Sequence, residues 1–141
     1  MHDINRITGH VVDAAYRVHT QLGPGLLETV YESVLARALE QRGLRVEQQK
    51  VISFDFDGMH FEGAFRVDLL VEDQVVVELK SMENLAPVHS KQLLTYLRLL
   101  NLPFGLLINF GALRLSEGGV HRIVNSRISS ARAILDLQRT E

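Results

Sequence analysis

The chain has 141 residues, 46% hydrophobic and 23% charged, with fifteen basic side chains against seventeen acidic ones and a net charge of −2. That is the size and balance of one globular domain with its own core, and the lack of cysteine excludes a disulfide framework or a thiolate zinc site. No apolar run approaches the ~20 residues of a membrane helix, and the near-neutral charge argues against a surface built for nonspecific nucleic-acid binding.

Ile4, Ile7, Val11, Ala14, Val18 and Leu22 recur at three- and four-residue steps, which predicts an amphipathic helix over 3–21. This N-terminus lacks the charged n-region and apolar run of a signal peptide, so the expected location is cytoplasmic, with no membrane contact. Leu22-Gly23-Pro24-Gly25 breaks the helix. A second helix follows, with Leu27, Val30, Tyr31, Val34, Leu35, Ala38 and Leu39 on its buried side and Gly43 as C-cap. With Gly25 as N-cap, Glu28 takes the N3 position and can reach back to the cap. Tyr31 lies one turn on, on the face of Glu28. His19, just before the break, reads as a local hydrogen-bonding residue, and the six histidines show no metal-ligand spacing.

Residues 44–56 have strand character, Asp57-Gly58 is a hairpin turn, and a strand starting near Met59 bends at Gly63. That strand runs into Arg66-Val67-Asp68-Leu69-Leu70-Val71, a Glu72-Asp73-Gln74 break, and Val75-Val76-Val77-Glu78-Leu79-Lys80. Side chains alternate across a strand. One face of this hairpin therefore carries Val67, Leu69, Val71, Val75, Val77 and Leu79, and the other carries Arg66, Asp68, Glu78 and Lys80. A register centred on Asp73 sets Asp68 opposite Glu78 and Arg66 opposite Lys80, an unfavourable pairing of like charges. After a polar loop, Pro87 opens a helix over 88–101, and Pro103 stops it. Phe104-Gly105-Leu106-Leu107-Ile108-Asn109-Phe110 reads as a central strand, covered on both faces and parallel to 75–80. A hairpin around Glu117-Gly118-Gly119 and a terminal helix from about Ser126 complete the chain. Arg114, Arg122, Arg127, Arg132 and Arg139 make this end mildly basic.

Asp68, Glu78 and Lys80 are spaced D-x9-E-x-K. Two carboxylates can hold Mg²⁺ or Mn²⁺ while a neighbouring lysine orients a water and offsets phosphate charge. The same residues also fit a diagonal ion-pair ladder, Asp68 with Lys80 and Arg66 with Glu78. Charge on so apolar a strand is expected to be partly buried, which needs a reason. On the following helix Lys91, Gln92 and Tyr96 come next, with Gln92 and Tyr96 four apart on one face. They can contact a phosphate backbone, or serve as an exposed amide and a core aromatic.

Taken in order, Gly25, Glu28 and Tyr31, then Asp68, Glu78-x-Lys80 and Gln92-x3-Tyr96 resemble the PD-(D/E)XK nuclease superfamily, and within it the GxxExxY proteins. The likeness covers most of the chain, through Leu85–His89 and Gly105–Phe110. It implies a single 1–141 domain of α/β class, a restriction-endonuclease-like αβββαβ core with a central mixed sheet flanked by helices. It further implies that Asp68 and Glu78 bind metal, that Lys80 is the catalytic lysine, and that Glu28 is an accessory carboxylate at the metal. Gln92 and Tyr96 match a Q-x3-Y element of the RecB-like exonuclease branch. Val67 stands where the superfamily name has Pro, a position that is not a ligand. The implied activity is Mg²⁺- or Mn²⁺-dependent hydrolysis of phosphodiester bonds in nucleic acid, with DNA the expected partner. The alternative is a non-catalytic nucleic-acid- or protein-binding module on the same fold. A chain this small also suggests a homodimer or a partner protein.

Overall fold

In the computed structural model, residues 3–128 are described. The expected terminal helix lies, beyond a turn at Ser126–Ile128, outside the described residues. Three helices and five strands follow in the order α1 (Ile4–Leu22), α2 (Glu28–Gln41), β1 (Val46–Phe56), β2 (Met59–Val71), β3 (Val75–Lys80), α3 (Pro87–Leu100), β4 (Phe104–Asn109) and β5 (Val120–Val124). The sheet order is β1-β2-β3-β4-β5. Only the β3–β4 pair is parallel, with Val75 beside Phe104 and Lys80 beside Asn109, and α3 makes the crossover that parallel strands require. Among the described residues no helix is long and apolar enough to cross a membrane.

The β2–β3 hairpin has the register the alternation predicts, Val71 with Val75 and Leu69 with Val77, symmetric about Asp73. Leu69, Val71, Val75, Val77 and Leu79 join Leu106 and Ile108 beneath α1 and α2. On the other face Leu70, Val76 and Leu107 pack with Leu93 and Leu97 of α3. Val67 departs from the expected parity and lies in this second cluster, because the strand turns over between Leu69 and Val67. β4 is buried along its whole length, as its unbroken apolar run requires. Asp57 and Gly58 both take the left-handed backbone of a tight hairpin turn. Gly63 bends β2, its N–H bound to Ser53 Oγ at 2.9 Å, where the β1–β2 register slips.

Four expectations about the helices and connections are corrected. The N-cap of α2 is Leu27, not Gly25, so Glu28 stands at the first helical position and not the third. The Tyr31 hydroxyl explains this: it donates to the Gly23 carbonyl and accepts from the Leu26 N–H at 3.1 Å, holding residues 23–26 in a loop. The buried face of α2 is Tyr31, Glu32, Leu35, Ala36 and Leu39, whereas Leu27, Val30 and Val34 are 73%, 39% and 37% exposed. Glu117-Gly118-Gly119 is not itself a tight hairpin turn; it closes the longer connection from β4 to β5. His19 reaches further than expected, its Nε2 hydrogen-bonded at 2.8 Å to the carbonyl of Ala112.

Candidate active site

The ladder between β2 and β3 ends at Leu69 and Val77. Beyond that point the strands separate, and side chains take over the work of the backbone. Leu79 N–H donates to Asp68 Oδ2 at 2.8 Å, and Asp68 N–H donates to Glu78 Oε1 at 3.3 Å. Two carboxyl groups thus occupy the opening wedge, in hydrogen-bonding contact with each other. Glu78 is only 9% exposed. Burial, then the charge of Asp68, pushes its carboxyl up to about 9, although Lys80 nearby pulls the other way. Around neutral pH this burial favours the protonated form of Glu78.

The ion-pair ladder does not form among the described residues. Arg66 is exposed, and Lys80 is half-buried at the end of β3. Lys80 is fixed by its backbone: its carbonyl accepts from Phe110 N–H at 2.8 Å. Just beyond it, the buried Asn109 side chain clamps Met82 from both sides, accepting from Met82 N–H at 3.1 Å and donating to Met82 O at 2.9 Å.

Tyr96 faces this site from α3. Its ring stacks on Phe65 at 4.3 Å, and burial together with the charges of Glu78 and Asp68 raises its hydroxyl above the usual tyrosine range. Gln92 is exposed one turn earlier, beside Lys91. Glu28 is exposed at the start of α2, on an open concavity of about 750 Å³ that it shares with Ser81, Met82, Glu83 and Gly111. Ser81 follows Lys80 directly, and its hydroxyl donates to the Leu26 carbonyl, so this concavity abuts the end of β3.

The hydrogen-bond network around Asp68 runs to another acid. Glu32, 8% exposed, accepts from Gln48 Nε2 at 3.3 Å and from Gln49 Nε2, and Gln49 Nε2 also lies 3.3 Å from Asp68 Oδ1. None of Glu32, Gln48, Gln49 or Asn109 stands out in the sequence as part of a site. The one available signal is that Glu32 lies four residues after Glu28, on the same helical face.

A divergent strand pair bearing Asp-x9-Glu-x-Lys, on a five-stranded mixed sheet flanked by helices, matches the family model of the PD-(D/E)XK nuclease superfamily over residues 5–123. The chain belongs to that superfamily. Its fold is the restriction-endonuclease-like one, and its domain is nuclease-like. No curated protein matches the chain.

The superfamily typically uses divalent metal, and the residues present fit such an ion. Among the described residues no three His, Asp or Glu side chains converge as a metal cage. Mg²⁺ does not require one: it is commonly held by one or two carboxylates, with water and substrate phosphate completing the shell. Asp68 and Glu78 supply hard oxygen donors at one point, and the burial and neighbouring charge that disfavour ionised Glu78 are what a bound cation would offset.

Proposed function

We propose that this chain is a metal-dependent nuclease that hydrolyses phosphodiester bonds in nucleic acid, DNA foremost. The observation that carries the reading is the Asp68–Glu78 carboxyl pair in the wedge between β2 and β3, Glu78 buried and Asp68 half-buried, with Lys80 two residues beyond Glu78 along the strand. Asp68 and Glu78 would hold Mg²⁺ or Mn²⁺, with Glu28 as an accessory carboxylate across the adjoining concavity. A bound dication supplies Lewis-acid polarisation of the scissile phosphate.

The protein's own groups do the rest. The Lys80 ammonium donates to the attacking water and to a phosphate oxygen, orienting the one and offsetting charge on the other. Leu79 N–H and Asp68 N–H hold the two carboxylates in place before substrate arrives. The Tyr96 hydroxyl stays protonated and available as a donor to the phosphate backbone, with the exposed Gln92 amide one turn away.

The test is cleavage of single-stranded, duplex and branched DNA, and of RNA, in Mg²⁺ or Mn²⁺. Chelation should abolish cleavage, and Asp68→Ala or Lys80→Ala should lower it by about 10²–10³-fold, the scale of removing a principal charge-stabilising group. Cleavage that survives chelation or either substitution would sink the mechanism. An inert protein that also binds no metal in calorimetry would favour a binding module that keeps the fold.

A further inference from the structure

Gln48 and Gln49 are consecutive residues of β1, and consecutive strand side chains point to opposite faces. Yet both amides bind the same carboxylate, Glu32, one on each oxygen. The chain achieves this by a break in the strand. Gln49 has φ +50°, left-handed backbone that an L-residue rarely adopts. The paired register passes from Gln48 opposite Leu69 to Lys50 opposite Val67, with Gln49 missing from the ladder. The residue that faces this gap is Asp68. Such a conformation is strained and persists where something else depends on it.

What depends on it is the carboxylate of Asp68. Oδ2 is held from β3 by Leu79 N–H at 2.8 Å, and Oδ1 is approached from β1 by Gln49 Nε2 at 3.3 Å. The amide is itself oriented by Glu32, a buried acid on α2 whose other oxygen is taken by Gln48. We infer that Gln49, oriented by Glu32, is a positioning residue that fixes the plane of the Asp68 carboxylate toward Glu78. The relay Glu32–Gln49–Asp68 ties α2 and β1 to the wedge between β2 and β3. It rests on the metal reading proposed above. Outer partners of metal-binding carboxylates commonly change metal affinity by 10–100-fold. Gln49 is exposed and its bond to Asp68 is long, so the lower end of that range applies.

The test uses the full chain with Mn²⁺ as the probe, bound Mn²⁺ being read by electron paramagnetic resonance. Gln49→Gly relieves the left-handed backbone but takes a donor from the buried Glu32, two effects of opposite sign, so the melting temperature should stay close to that of wild type. Mn²⁺ affinity should fall about tenfold. The Mn²⁺ concentration for half-maximal cleavage should rise in proportion, with the rate at saturating metal largely restored. Gln49→Asn tolerates the backbone but is one methylene short, and should resemble Gln49→Gly. Glu32→Gln can still receive Gln49 through its own amide and should stay within about twofold of wild type, whereas Glu32→Ala should match Gln49→Gly. Wild-type Mn²⁺ affinity in Gln49→Gly overturns the relay and leaves the metal reading intact. Equal losses in Glu32→Gln and Glu32→Ala, with melting temperature falling alongside affinity, assign a merely structural role and overturn it as well. A wild-type protein that binds no Mn²⁺ overturns the reading beneath.

Discussion

The two faces of β3 are built from one hexapeptide and end differently. Val75, Val77 and Leu79 close one face against α1 and α2 without a polar atom. The other face starts the same way, with Val76 packed on Leu70, Leu93, Leu97 and Leu107, and then turns to Glu78 and Lys80. Burial is nearly equal on both faces as far as Glu78, so depth alone does not separate them. What separates them is the partner strand. As far as Val77 the backbone of β2 is engaged in the ladder. Beyond it, the N–H groups of Asp68 and Leu79 are free to bind carboxyl oxygens, which makes a buried acid tolerable at that point and nowhere earlier. A fold can hold a charged site deep inside if it stops pairing its strands there.

That contrast implies that the wedge weakens the metal-free protein, and Glu78→Gln tests it with the largest expected effect on stability. Raising the folded carboxyl from 4.5 to about 9 means the fold prefers Glu78 protonated. Its favourable contribution is complete below pH 4.5 and is lost as pH rises through about 9. Glutamine has the shape of the protonated acid and does not titrate. Glu78→Gln should therefore match wild type at pH 4.5 and exceed it increasingly above, by up to about 4 kcal/mol at pH 7.5. Urea unfolding with EDTA at both pH values measures this. Equal stability of the two proteins at pH 7.5 would mean that the pair is not strained and that the faces differ less than argued. The same substitution should abolish Mn²⁺ binding, separating stability from function.

Gly111→Ala should come next, at about 1–3 kcal/mol, the range for overfilling a packed site. A Cβ there would lie 2.3 Å from Met82 O and 2.4 Å from Met82 N, both backbone atoms held by Asn109. The neighbouring Phe110 N–H binds the Lys80 carbonyl, so cleavage should fall along with stability. Loss of stability with undiminished cleavage per folded molecule would show that Lys80 is positioned from the sheet alone.

Much of this was legible in advance. The parity of 69–79 is visible because charges interrupt an otherwise apolar alternation, and symmetry about Asp73 follows from the equal arms of the hairpin; Val67 breaks that parity because it lies beyond the last paired residues, Leu69 and Val77. The centrality of β4 shows in Phe104–Ile108, which has no polar residue until Asn109. The buried face of α2 is not legible in the same way, because Leu27, Val30 and Val34 are as apolar as Leu35 and Leu39 and periodicity counts them alike. Only tertiary structure shows that a glutamate, Glu32, is buried instead. Gln49 left no trace, since left-handed backbone is ordinarily signalled by Gly, Asn or Asp, and a glutamine inside a strand signals nothing.

The smallest expected effect belongs to Tyr31, which stands wholly on the closed side of the comparison. Its ring is fully buried and stacks on Phe110 at 4.4 Å, while its hydroxyl ties the Gly23 carbonyl and the Leu26 N–H. Tyr31→Phe keeps the stack and removes only the two hydrogen bonds. Leu26 is 40% exposed, so water reaches the orphaned groups, and the loss should be about 1 kcal/mol by urea unfolding. The loop retains a second tie, Ser81 hydroxyl to Leu26 carbonyl, which joins it to the end of β3. Cleavage should therefore stay within about threefold of wild type. A tenfold loss of cleavage with stability preserved would instead make the loop from Gly23 to Leu27 part of the site. The apolar face would then reach the chemistry through Glu28, and the division between the two faces of β3 would have to be redrawn at the start of α2.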